Sequence, residues 1–215
     1  MMPGADQDAI DSEGWWPPAR RYDSPNFNAR PDGAQIALIV LHNISLPAGR
    51  FGGPHIADLF TNRLDVCADP GFAELRSLHV SSHFLVRRDG GVTQFVACAG
   101  RAWHAGVSVF DGRANCNDYS VGIEIEGSDF VAFSSAQYDS VARLIAALAG
   151  RYPITAIAGH EHVAPGRKSD PGPFFDWSKM QALATLAAEK LVLANRRCTS
   201  ASKLRKVKWA HLNFG

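Results

Sequence analysis

The sequence predicts an α/β fold, a single mixed β-sheet flanked by helices. Three observations carry that reading. Short β-branched apolar runs, such as 36–42 and 154–158, alternate with segments whose apolar residues recur at helical spacing. Arg88-Asp89-Gly90-Gly91 lies between two such runs and signals a hairpin. Residues 119–126 alternate strictly, as a strand with two different faces should.

Residues 1–30 read as an irregular lead-in, with Trp15-Trp16-Pro17-Pro18 packing on the domain surface. One domain then spans 31–195, a size that suits a single hydrophobic core. After Pro31-Asp32-Gly33, residues 36–42 form a buried strand ending at His42. Residues 49–53 are a loop, and Pro54 suits the first turn of a short helix to about Leu64. The runs 80–87 and 92–97 are the arms of the hairpin. In 119–126, Val121, Ile123 and Ile125 point one way, and Gly122, Glu124 and Glu126 point the other.

Ser134-Ser135-Ala136-Gln137 is a capping box, followed at helical spacing by Tyr138, Val141, Leu144, Ile145 and Leu148, with Gly150 as the expected stop. The strand 154–158 delivers His160 at its end. Asp176 caps a last helix to about Leu193, with Trp177, Met180, Leu183 and Leu186 on its inner face. Residues 196–215, with Arg196, Arg197, Lys203, Arg205, Lys206 and Lys208, read as a basic, mobile tail.

Composition bounds the function. The chain is 46% hydrophobic and 20% charged, ordinary for a soluble globular protein. A formal net charge of +1 gives no electrostatic case for a nucleic-acid partner. The N-terminus lacks the basic start and apolar core of a secretory signal, and no apolar run is long enough for membrane insertion. Cys67, Cys98, Cys116 and Cys198 show no C-x-x-C spacing, which argues against a zinc–thiolate knuckle and fits reduced thiols in a cytoplasmic protein.

The chemistry concentrates in residues 159–173, where His160, Glu161, His162, Arg167, Lys168 and Asp170 share a segment stiffened by Pro165, Pro171 and Pro173. His42, His160 and Asp170, from separate elements, would hold zinc and leave its fourth position open, the catalytic arrangement. Each alone is more often a hydrogen-bonded structural residue than a ligand, and His162 is a rival ligand to His160. Glu124 is a candidate general base on the polar face of its strand, although Glu124 and Glu126 are equally a solvated face. Lys168 is a candidate cation for a developing oxyanion, or a surface lysine. Trp103 and His104 can line a sugar or peptide groove, or simply pack, and His83 reads as a core residue or a group behind the ligands.

These pieces together resemble the N-acetylmuramoyl-L-alanine amidase type 2 family, most closely its cytoplasmic AmpD branch. The resemblance is carried by residues 40–47, 51–54, 80–83, 101–108, 116–127 and 159–173, and it extends from about Trp15 to Met180. It implies a zinc hydrolase with the fold of phage T7 lysozyme and the peptidoglycan recognition proteins. By position, His42, His160 and Asp170 match the metal ligands, Glu124 the catalytic acid/base and Lys168 the transition-state cation. The implied substrate is a small muropeptide, cut between (1,6-anhydro-)N-acetylmuramic acid and L-alanine during cell-wall recycling. Asn43, Trp103 and His104 are expected to line the cleft. His79 and Asn115 stand where basic residues would be expected to meet substrate carboxylates. Two rivals are a non-catalytic muropeptide-binding module and a nucleic-acid or anionic-surface adaptor built on the basic tail.

Overall fold

The computed structural model of the chain describes residues 8–194, 204 and 206–210. The strands and helices follow one another as β1 (Arg20–Arg21), β2 (Phe27–Ala29), β3 (Leu38–Ile44), α1 (His55–Phe60), β4 (Phe84–Val86), β5 (Val92–Gln94) and β6 (Gly100–Ala102). They continue as β7 (Val109–Phe110), β8 (Arg113–Ala114), β9 (Ser120–Glu126), α2 (Ser135–Arg151), β10 (Ala156–Gly159), α3 (His160–Val163), α4 (Trp177–Ala194) and β11 (Lys208–Trp209). Seven strands form one sheet in the order β1-β5-β4-β9-β3-β10-β11. Only the hairpin pair β4–β5 is antiparallel, so the sheet is mixed, as the sequence predicts.

The two faces of the sheet differ in what covers them. On one face Ile39, Leu41, Phe84, Val86, Val121, Ile123, Ile125 and Ile157 join α2 and α4 in the main buried cluster. Each such buried aliphatic side chain stabilises the fold by about 1.5–3 kcal/mol. The α4 residues that enter it most deeply are Met180, Ala184 and Ala188, one helical turn apart, whereas Leu186 is 47% exposed rather than inward. Spacing of three and four residues fits both stripes, and small alanines let α4 lie close to its neighbours. The opposite face is covered by loops, α1 and α3, and there the C-terminal halves of β3 and β9 carry His42, Glu124 and Glu126.

Boundaries moved for identifiable reasons. Strand β3 runs two residues past His42 because its parallel ladder with β9 continues to Ile44 opposite Glu126. Helix α1 stops early, with Asn62 in a left-handed conformation at its exit. The Ser134–Gln137 capping box is present, contributing about 1 kcal/mol. Gly150 does not end α2. The helix stops at Tyr152, whose extended backbone is imposed by the following Pro153.

Both terminal segments contribute to the domain. Trp16 is 2% exposed in the main cluster, not a surface residue, and its backbone N–H donates to Gln94 Oε1. Trp209 is likewise 2% exposed, with Leu204 and Val207 buried beside it. A basic sequence is solvated only where its apolar members find no slot, and here β11 adds them to the edge of β10. Arg196, Arg197, Lys203, Arg205 and His211 lie outside the described residues.

Candidate active site

Parallel register decides the site. His42 on β3 is paired with Glu124 on β9, so both side chains leave the same face of the sheet. Gly159 at the end of β10 pairs with Leu41, and α3 begins at the next residue, which brings His160 beside His42. The chain then returns through the rigid loop to Asp170. Three distant segments thus converge on one point. His42 Nδ1 and His160 Nδ1 are 3.0 Å apart, and each is 3.1 Å from Asp170 Oδ2.

The donor chemistry of this triangle suits a small divalent cation. His160 Nε2 donates to the Ala105 carbonyl at 3.1 Å, so in the neutral ring Nδ1 carries a bare lone pair. That lone pair faces a carboxylate oxygen at 3.1 Å, and two acceptors at this distance repel unless a cation or proton lies between them. Tetrahedral ligands about 2.1 Å from a divalent ion lie about 3.4 Å apart, close to the observed edges. Burial lowers the His42 pKa to about 4, which keeps its imidazole neutral and available as a ligand. Burial alone would lift the Asp170 carboxyl, but the His160 and His42 imidazoles more than reverse this and hold it below the usual carboxylate range.

Glu124 faces the same space. It is 8% exposed, and its Oε2 is buried without a hydrogen-bond partner. Burial, and then the Asp170 charge, push its pKa well above the usual value, with Lys168 partly offsetting them. Such a carboxyl holds a proton more readily than an exposed one, which suits a group that takes and returns one. Glu126, two residues on, is different. Its carboxylate accepts from the Gly52 and Arg88 backbone amides and from the Arg87 guanidinium.

The space itself is a cavity of about 270 Å³. His42, Glu124, His160, Lys168, Asp170, Trp103 and His104 line its polar side. Leu46, Leu59, Phe60, Leu75, Leu78 and Val80 form an apolar wall that the sequence reading did not assign to the site. The spacing of Ile56, Leu59 and Phe60 on α1 signalled burial, but not which surface they would face.

Of the expected cleft residues, Trp103 and His104 line the cavity, and Asn43, His79 and Asn115 are not among the described residues that do. Asn43 donates instead to Asp129 Oδ1 and the Pro171 carbonyl, tying the 159–173 loop to β3. His79 is exposed with its Nδ1 3.1 Å from Asn62 Oδ1, and Asn115 is an exposed residue with a left-handed backbone. His162 is turned from the triangle, since its Nδ1 accepts the Gly159 amide at 2.9 Å.

Several supporting residues were missed. Asn117 Oδ1 accepts the His104 and Ala105 amides, and Arg167 donates to the Ala105 and Val107 carbonyls, joining the loop at 103–107 to the 159–173 loop. Gly122 packs so closely that a Cβ there would lie 2.5 Å from His104 Cγ. A glycine inside an alternating strand was the available signal for that approach.

The N-acetylmuramoyl-L-alanine amidase family pattern matches residues 32–173, which include every residue of the triangle and Glu124. The chain belongs to this family. It is 51% identical over 180 residues to the 1,6-anhydro-N-acetylmuramyl-L-alanine amidase AmpD of Citrobacter freundii, covering 83% of this chain and 96% of the relative. Among solved structures, the crystal structure of a selenomethionine AmpD derivative aligns with a TM-score of 0.79 at 52% identity, covering 80% of this chain and 97% of that one. The Escherichia coli amidase AmiD, solved with anhydro-N-acetylmuramic acid-L-Ala-D-γ-Glu-L-Lys, aligns at 0.52 with 27% identity, covering 72% and 60%. The family match agrees with the amidase resemblance read from the sequence, and among the described residues no helix is long and apolar enough to cross a membrane.

Proposed function

We propose that this amidase is zinc-dependent and hydrolyses the amide bond between 1,6-anhydro-N-acetylmuramic acid and L-alanine in small muropeptides, in the cytoplasm, during cell-wall recycling. The observation that carries the reading is the His42–His160–Asp170 triangle in one cavity with the unpartnered Glu124 Oε2. The names of the relatives support the substrate class. The three described cysteines, all unpaired, are consistent with a reducing compartment.

Zinc held by two imidazoles and one carboxylate would acidify a coordinated water and polarise the amide carbonyl. The protein's own groups supply the rest. Glu124 Oε2 takes a proton from the attacking water and returns it to the departing alanine nitrogen. Burial, the largest cause, raises the affinity of this carboxyl for that proton. Lys168, on the cavity wall, brings positive charge to the developing oxyanion. Trp103 offers a ring surface to the sugar, and the wall of Leu46, Leu59 and Phe60 excludes water from the opposite side. Asn43 acts through the ligand loop it tethers. His79 and Asn115, outside the cavity wall, would meet the distal stem peptide.

Mass spectrometry of an anhydromuropeptide incubated with the protein tests the reading. The expected result is release of the free stem peptide, lost with a chelator and restored by zinc. A zinc-loaded preparation that binds the muropeptide without cleaving it would instead describe a binding module.

A further inference from the structure

His104 was expected to meet substrate, yet both of its ring nitrogens are committed to the protein. His104 Nδ1 lies 3.0 Å from His42 Nε2, and His104 Nε2 lies 3.2 Å from Ser120 Oγ. The ring is buried and sits edge-on to both His42 and His83. Its bed is the bare backbone of Gly122, whose amide is in turn fixed by His83 Nδ1. Asn117 Oδ1 holds the His104 amide from below.

Two proton arrangements satisfy the same heavy atoms. In one, Ser120 donates to His104 Nε2, His104 Nδ1–H donates to His42 Nε2, and His42 carries its proton on Nδ1. That proton would occupy the centre of the triangle. In the other, His42 Nε2–H donates to His104 Nδ1, His104 Nε2–H donates to Ser120 Oγ, and His42 Nδ1 is bare. Only the second leaves His42 able to ligate a cation together with His160 and Asp170.

We propose that His104, backed by Ser120 and seated on Gly122, is a positioning residue that fixes the Nε2–H tautomer and ring orientation of His42. This rests on the zinc reading above. Its consequence is that His104 sets metal affinity rather than substrate contact. The partners behind ligating imidazoles typically account for 10- to 100-fold in metal affinity. Gly122 provides a route to the same effect without altering any hydrogen-bonding group, because an added methyl must displace the His104 ring.

The test is zinc affinity by competition with a chromogenic chelator, on full-length His104→Phe, His104→Asn and Gly122→Ala proteins whose folding is checked by circular dichroism. Asn can present an acceptor near the place of Nδ1, and Phe cannot. The expected result is a 10- to 100-fold loss for His104→Phe and Gly122→Ala, and a loss of under about 5-fold for His104→Asn. Should the Phe variant not fold, His104→Leu replaces it against His104→Asn. Long-range 1H–15N correlation on wild-type protein reads the tautomer directly, and Nε2–H on His42 is expected in the zinc-loaded state. Wild-type affinity in folded Phe (or Leu) and Gly122→Ala variants would overturn the proposal, as would equal losses in the Phe (or Leu) and Asn variants. A wild-type protein that binds no zinc would overturn the zinc reading itself, a result distinguishable from failure of the His104 proposal alone.

Discussion

Glu124 and Glu126 occupy the same face of the same strand, two residues apart, and their surroundings are opposite. Glu126 is 1% exposed and saturated by the Gly52 and Arg88 amides and the Arg87 guanidinium. Glu124, also buried, keeps a bare oxygen beside a cavity. One carboxylate joins the 49–53 loop to the hairpin, and the other is available for proton transfer. His160 and His162 repeat the contrast on α3, one imidazole in the triangle and the other accepting the Gly159 amide. Residue type and spacing do not separate a carboxylate open to a cavity from one that is fully engaged. Hydrogen-bond saturation does.

The largest expected effect that would break this comparison is at His160. His160→Ala should lose zinc and all measurable turnover, while His162→Ala keeps both, as metal content by atomic absorption and the mass-spectrometric assay would show. A reversed outcome would shift the ligand register by two residues. Next, Glu124→Ala should retain zinc and the folded spectrum while turnover falls about 10²- to 10⁴-fold, the usual span for a lost general acid/base. Equal turnover loss in a folded Glu126→Ala protein would remove the distinction between the carboxylates.

Glu126→Ala should act on stability instead. The substitution leaves the Gly52 and Arg88 amides without that acceptor and the partly exposed Arg87 without its partner, a loss of about 2–5 kcal/mol, read from urea unfolding with and without the substitution. The smallest effect belongs to His162→Ala, which leaves the Gly159 amide without that acceptor, and about 1–3 kcal/mol of stability should be lost. A change in zinc affinity in that variant would show that His162 does more than tie down the start of α3.

What could be read from the sequence follows the range of the forces involved. The alternation of β9 and the capping box of α2 depend on residues within a few positions, and both stand as expected. His42, His160 and Asp170 are legible one by one as candidate ligands, but their convergence is not, because they meet through the β3–β10 register and a long loop. The saturation of Glu126 depends on Gly52, Arg87 and Arg88, brought together from a loop and a hairpin. The double engagement of His104 depends on Gly122 and Ser120 on a neighbouring strand, and no pattern around Trp103–Gly106 announces it. The burial of Trp16 and Trp209 was missed for the same reason, since each fills a slot made by residues far away in the chain.

The ends of the sheet carry a consequence for association between molecules. Its outermost strands, β1 and β11, are each only two residues long, and they present Arg20, Arg21 and Lys208. A short border offers little unpaired backbone to another chain, and its Arg21 and Lys208 charges are paired with Asp23 and Asp111. Without β11, the longer and more apolar β10 would become the border and would offer an open template to a second sheet. Strand β11 therefore occupies the place where another molecule would otherwise add a strand.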